Sequence, residues 1–203
     1  MANAVLLTLS ALLLAHIAHV NCLSGTCNSY EREKWNEGYR SRVYIDTEGH
    51  PTVGIGFNLD RSDARSRLSA VGANYDKIRA GTAALTDYQI RTLFNDDMAN
   101  AVSCASSWLS QVWGQMSTDQ KSAVADMAFN LGCSGVRKFK NMKSALLRGD
   151  YGGAAAEMRN SKWCRQVKSR CDRNIDCMKG GLALLMEIFG LNRFRLEPIP
   201  IKI

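Results

Sequence analysis

Asn36-Glu37-Gly38-Tyr39-Arg40, Val43-Tyr44-Ile45-Asp46-Thr47-Glu48-Gly49 and Thr52-Val53-Gly54-Ile55-Gly56 follow one another closely in the chain and decide how the rest is read. Tyr30 to Trp35 predicts a short helix running into Asn36 and Glu37, and Gly38 is the residue type that ends helices. Arg42 to Asp46 then reads as a strand, Asp46 to Gly49 as a turn, and Val53, Ile55 and Phe57 as the alternating apolar face of a second strand. Together these make a β-hairpin. Gly54 and Gly56 interrupt its second strand, which marks either a bulge or a place where another group comes close to the backbone.

Downstream the period changes. Thr86 and Gln89 fit a capping box, and Ile90, Leu93, Phe94, Met98, Ala101 and Val102 recur at helical spacing, so a long helix is expected. Ser117 and Gln120 repeat the capping signature ahead of Ala123, Val124, Met127, Ala128 and Leu131, with a break expected at Gly132 to Gly135. Further helices are expected over Val136 to Arg148, Tyr151 to Arg159 and Gly181 to Ile188. A small β-containing part followed by a helical part is an α+β arrangement with room for a cleft between the two. No internal repeat or low-complexity linker is present.

Upstream, the first thirty residues carry no Asp, Glu, Lys or Arg, and Ala4 to Ala15 is a mostly apolar run of the length of a secretory h-region. The run is shorter than the roughly 18 apolar residues that span a membrane. Residues 1–22 are therefore expected to be a cleaved signal peptide and 23–203 a secreted, extracellular domain without stable membrane insertion; an uncleaved anchor is the alternative. The seven cysteines, Cys22, Cys27, Cys104, Cys133, Cys164, Cys171 and Cys177, cannot all pair internally. Cleavage after Cys22 leaves six for up to three bridges, for which fifteen pairings exist; a local link between Cys171 and Cys177 is the one expected. No pair has the Cys-x-x-Cys spacing of a zinc or redox site, so the cysteines read as staples and no metal is expected.

The formal charge of +7 favours an anionic partner, be it nucleic acid, acidic membrane or bacterial wall, and is equally compatible with a basic surface that keeps a secreted protein in solution. Arg137, Lys138, Lys140 and Lys143 form only a short basic run, which reads as a solvated helix face, so nucleic acid is not expected as a partner. His50 is the one histidine outside the signal segment, and no Gly-x-Ser-x-Gly elbow occurs, which argues against a nucleophilic hydrolase. His50, in the turn before Pro51, reads as exposed.

Two carboxyl groups remain on the hairpin. Glycoside cleavage needs one acid to protonate the leaving oxygen and a second carboxylate to attack the sugar or activate water. Glu37 at a helix end and Asp46 at a strand end could both be aimed into one cleft. A glutamate flanked by Trp35 and Tyr39 would be partly desolvated, raising its pKa and keeping it protonated, whereas Asp46 in a polar turn would stay ionised. Two acids at this spacing fit equally a solvated helix end and a turn-stabilising Asp.

The wording of the hairpin, however, closely resembles the active-site hairpin of phage-type lysozymes. Further matches are Leu93-Phe94-Asn95, Met127 to Gly132, Gly135-Val136 with Phe139 and Asn141, and Ser161-Lys162-Trp163. The resemblance implies a lysozyme-like fold, with a small lobe over 23–85, a connecting helix over 86–110 and a helical lobe over 111–203. It implies a monomeric glycosidase, without metal or organic cofactor, that hydrolyses the β-1,4 bond between N-acetylmuramic acid and N-acetylglucosamine in bacterial peptidoglycan, in defence or digestion. Glu37 would be the proton donor, and Asp46, helped by the Thr52 hydroxyl, would hold the attacking water. That inverting scheme predicts carboxyl groups roughly 6.5 to 9.5 Å apart, against roughly 5 to 5.5 Å for retention. Phe129 and Asn130 fall at the family's positions on the far wall of the cleft, although an aromatic at helical spacing is also a core pattern.

Two departures stand out. Phe57 replaces a histidine that the family can carry, so the charge pair from that position to Asp97 is lost, and disulfides are the expected replacement. The segment Cys164 to Lys179 shows no motif of the family and reads as a solvated, stapled loop, with binding of the wall's peptide or phosphate groups by its basic residues as the alternative. The rival from another class is a non-catalytic cationic protein that binds bacterial walls or membranes.

Overall fold

A computed structural model of the chain describes Cys27, Lys34 and residues 36–180. The expected signal segment, Trp35 and the expected helix from Gly181 lie outside these residues.

Lys34, Asn36 and Glu37 are helical, and the turn stops at Gly38, whose φ of +78° only glycine adopts without strain. Next come β1 (Arg40–Ile45), β2 (Pro51–Gly54) and β3 (Phe57–Asn58), an antiparallel sheet in the order β1-β2-β3. Tyr44 pairs with Thr52 and Val53 with Phe57. The second strand read from the sequence is thus two. Gly54 and Gly56 both have φ of +70°, and that left-handed backbone turns the chain back on itself. At Gly54 an added Cβ would meet Ile90 at 3.4 Å, so the sheet sits almost directly on the long helix.

Two short helices, α1 (Ala64–Ala70) and α2 (Tyr75–Arg79), close the sheet's core with buried Ala64, Leu68 and Ile78. No period in the sequence marks either of them, because helices of this length make too few turns to show one. The long helix α3 (Asp87–Trp108) begins at the expected capping box of Thr86 and Gln89, with both reciprocal hydrogen bonds formed. Helix α4 (Thr118–Val136) begins at the second one, Ser117 and Gln120, and is kinked at Gly132, where φ is +69° and ψ +167°. Helices α5 (Lys140–Leu147) and α6 (Tyr151–Arg159) follow. Ile90, Leu93, Phe94, Met98, Ala101 and Ala105 of α3 face Ala123, Val124, Met127 and Ala128 of α4 to form the centre of the core. The architecture is α+β and lysozyme-like, as expected.

The segment from Cys164 to Lys179 is not a loop. It forms most of α7 (Lys162–Val167) and α8 (Ser169–Met178), joined at Lys168, the one non-glycine residue with positive φ (46°) among those described. Helix α8 packs on α4 and α6, burying Arg170, Cys171, Asn174, Ile175, Cys177 and Met178 along one side. Cys171, Ile175 and Met178 recur along it at helical spacing, so the helical period was present in the sequence, although the basic and cysteine-rich composition around it reads as a loop.

The six cysteines after Cys22 form three bridges: Cys27–Cys177, Cys104–Cys133 and Cys164–Cys171. The expected link from Cys171 to Cys177 does not exist. Both lie on α8, about 9 Å apart along the axis at about 1.5 Å per residue, beyond the reach of a disulfide. The bridges join elements instead: α3 to α4, α7 to α8, and the leading segment to α8.

Phe57 indeed makes no charge pair, but Asp97 is not left alone. Arg61 Nη1 lies 2.9 Å from its Oδ2 and Arg67 Nη1 2.9 Å from its Oδ1, while the two guanidinium carbons stand 5.0 and 5.8 Å from the Phe57 ring centre. Arginines from the sheet side thus tie that side to α3, a link for which only disulfides were expected. Among the described residues no helix is long and apolar enough to cross a membrane.

Candidate active site

Asp46 closes β1 and enters the turn as an Asx cap. Its Oδ1 accepts from the backbone N–H groups of Glu48 and His50, both at 2.9 Å, and its Oδ2 faces Thr52 Oγ1 at 3.1 Å. The His50 N–H is the largest influence holding the carboxyl below its ordinary pKa; the Glu48 N–H and the Thr52 hydroxyl act in the same direction against some desolvation. Thr52 is buried at 2 % exposure, because β2 lies between β1 and β3. Its one hydroxyl proton can also reach the His50 carbonyl at 3.3 Å, but a carboxylate is the stronger acceptor. His50, expected to be exposed, is half-buried, with Nδ1 3.2 Å from Asp60.

Glu37 hangs from the end of the first helical turn. A Cβ built on Gly56 would meet its Cγ and Oε2 at 3.2 Å, so the glutamate lies directly over the β2–β3 turn. Its own carbonyl accepts from the Tyr44 hydroxyl at 3.2 Å. Tyr39, expected to shield it, instead donates its hydroxyl to Asp87, and Trp35 lies outside the described residues. The group set against the carboxyl is a cation: Arg170 Nη1 donates to Glu37 Oε1.

That arginine comes from the segment whose role the sequence left open. Its Nε and Nη2 grip Asp126 of α4 at 3.2 and 2.9 Å. Asn174 and Asn36 also donate to Asp126, the latter at 3.4 Å, and Arg173 donates to Asn36. Asp126 is fully buried. A sequence signal for it did exist: Asp126 is the lone charge in the run Ala123 to Ala128, and a carboxylate on a core face demands a cation. Nothing local said which cation.

A cavity of about 310 Å³ opens where the sheet, α3 and α4 converge, lined by Gly56, Arg61, Asp97, Asn100, Phe129 and the Cys104–Cys133 bridge, among others. Phe129 is half-buried, with its ring tilted against Phe94 at 5.6 Å, so it belongs to the core edge and to the cavity wall at once. Asn130 is exposed, and its Oδ1 accepts from Trp163 Nε1 at 2.8 Å. Glu37 adjoins this cavity through Gly56, and Asp46 and Thr52 stand further along the same hairpin.

A small three-stranded antiparallel sheet set against a body of helices is a lysozyme-like α+β fold, and the protein is of this class. The family model described as phage lysozyme matches residues 34–174, and the chain belongs to that family, which makes it a peptidoglycan-hydrolysing glycosidase. It is 33% identical over 145 residues to the pre-baseplate central spike protein of Enterobacteria phage T4, a match covering 68% of this chain and 25% of the spike protein. It is 30% and 28% identical over 155 residues to probable T4-type lysozymes 2 and 1 of Dictyostelium discoideum, covering 73% of this chain and 91% of each.

Proposed function

We propose that the protein cleaves the β-1,4 bond between N-acetylmuramic acid and N-acetylglucosamine with inversion, using Glu37 as general acid and Asp46 with Thr52 as the holder of the attacking water. One observation carries this reading: the Glu37 carboxyl lies over Gly56, at the edge of the cavity, on the same hairpin that hydrogen-bonds Asp46 to Thr52.

The division of labour follows from the partners. Glu37 Oε1 is occupied by the Arg170 donor, so the transferable proton belongs on Oε2, the oxygen that lies over Gly56. Asp46, held ionised by three donors, is suited to take a proton from water. Thr52, donating its own hydrogen to Asp46, keeps lone pairs to accept one from that water and so orient it. As the water oxygen bonds to the anomeric carbon, its proton passes to Asp46, the bond to the leaving oxygen breaks, and that oxygen takes the Glu37 proton. Phe129 would offer a sugar ring an apolar wall, and Asn130, its Oδ1 already engaged, would offer Nδ2 donors to a hydroxyl.

Bacteriolysis outside the cell, in defence or digestion, completes the reading; the disulfides Cys27–Cys177, Cys104–Cys133 and Cys164–Cys171 support an oxidising compartment. The test is clearing of a peptidoglycan suspension with new reducing ends counted in parallel. Glu37→Gln is expected to lower both by about 10²- to 10⁴-fold, and the first sugar released by the wild type should carry the α configuration by NMR. Equal clearing by both proteins without sugar release would leave the cationic wall binder, and a β product would refute inversion.

A further inference from the structure

Behind Arg170, which occupies Glu37 Oε1 in the scheme above, stands a carboxylate that the scheme does not use. Arg170, its side chain 6% exposed, and Asp126, fully buried, stand between α8 and α4 immediately behind Glu37. We propose that Asp126 is a positioning residue that acts on the proton donor through Arg170, fixing the guanidinium so that Nη1 alone reaches Glu37 and absorbing charge that would otherwise bear on Glu37 undivided. The proposal rests on Glu37 being the general acid.

Geometry supplies the first half. The Asp126 carboxylate takes Nε and Nη2 of Arg170 on its two oxygens, a side-on grip that leaves one orientation to the planar fork. Asn174 and Asn36 hold the carboxylate from other sides. The arginine is therefore pre-aimed by a group that never approaches the cavity, and Glu37 meets it as a fixed donor at Oε1.

Charge supplies the second half. A general acid must hold its proton until the leaving oxygen takes it, and a cation in hydrogen-bond contact opposes that by favouring the carboxylate. A buried carboxylate on the far side of the same guanidinium offsets the cation. Among the described residues, the other charged or titratable groups near Glu37 are Tyr44, whose hydroxyl donates to the Glu37 carbonyl, Arg40 over the Tyr44 ring on β1, Arg173 behind Asn36, and Asp46 at the far end of β1. Burial foremost, and then Glu37 itself, push the Tyr44 phenol above its ordinary pKa. None of the four sits between Arg170 and the Glu37 carboxyl.

Two variants separate this role from a structural one. Asp126→Asn keeps the shape, loses the charge and weakens the grip. Its kcat is expected to fall at little change in KM, and the alkaline limb of the kcat profile, where the donor loses its proton, should move to lower pH by about one unit. Asp126→Asn/Arg170→Gln removes cation and counter-charge together, leaves no unpaired buried charge, and should move the same limb to higher pH. Circular dichroism and thermal melting establish that each is folded. Opposite displacements support the proposal; a limb that stays at the wild-type pH in the folded variants overturns it, as does a loss of kcat that only follows the melting temperature. If Asp126→Asn does not fold, the double variant decides alone, and an unmoved limb refutes. Glu37→Gln assayed beside them keeps the two readings apart, because a Gln variant that still hydrolyses at the wild-type rate condemns the assigned donor rather than its support.

Discussion

At the scale of single residues, the hairpin glycines and the threonine set the chemistry. Gly56 combines a left-handed φ of +70° with the close approach of Glu37. Gly56→Ala is expected to cost about 1 kcal/mol in backbone strain alone and to displace the glutamate from its place over the turn. Loss of more than about tenfold in kcat in the folded variant is therefore expected, measured with reducing-end assays beside a denaturant titration. Thr52→Val removes one of the donors that keep Asp46 below its ordinary pKa. The acid limb of activity should accordingly move to higher pH. The sign for stability follows: a depressed carboxyl contributes stability above its unfolded pKa and loses it as the pH falls through the folded value, so Thr52→Val, whose Asp46 is depressed less, should carry less of this stability near neutral pH and lose less of it on acidification, as acid titrations of unfolding would show. All of these residues are legible in the sequence, because hairpin geometry is local. What occupies the far side of Glu37 is not.

At the scale of elements, strong local signals gave correct boundaries and weak ones did not. The capping boxes at Thr86 and Ser117 located the starts of α3 and α4 because the cap and its partner lie three residues apart. Helix α8 was read as a loop because its apolar positions are interleaved with Arg170 and Asn174, whose partners lie far away in the chain: Asp126, 44 and 48 residues off, and for Arg170 also Glu37, 133 residues off. The same helix is fastened at Cys171 to α7 and at Cys177 to Cys27. A bridge closing 150 residues restricts the unfolded chain far more than one closing 7. Cys27→Ser/Cys177→Ser should therefore lower the unfolding free energy by up to about 5 kcal/mol, and Cys164→Ser/Cys171→Ser by up to about 2.4 kcal/mol, on the loop-closure estimate. Chemical denaturation of the two double variants compares them directly; a larger loss from the shorter bridge would show that its work lies in holding the native turn at Lys168.

At the scale of the whole molecule, the sheet side and the helices meet across the cavity, and charge pairs help hold them. Asp97 is 17% exposed and binds Arg61 and Arg67 at 2.9 Å each. Asp97→Asn would leave Arg61 to its pair with Asp63, and Arg67 to its longer contacts with Asp63 at 3.7 Å and Asp96 at 3.5 Å, so the tie from the sheet side to α3 would weaken. A loss of about 1 to 3 kcal/mol is expected, together with a larger KM if the cavity loosens; Asp97→Asn with wild-type stability would show that the disulfides suffice. The sequence correctly denied Phe57 a charge pair but did not foresee that the arginines would take Asp97, since both depend on how α1 is laid against α3.

Short-range spacing and residue chemistry in the sequence settled the hairpin with its two carboxyl groups, the starts of α3 and α4, the family, and the six cysteines free to pair, but not α1, α2 or α8. The tertiary structure alone decided which cysteines are partners, which cations meet Asp97, and that Arg170 and Asp126 stand behind Glu37. These are encounters between residues distant in the chain, settled by how helices pack and by the need to neutralise each charge that packing buries, and no local pattern records them.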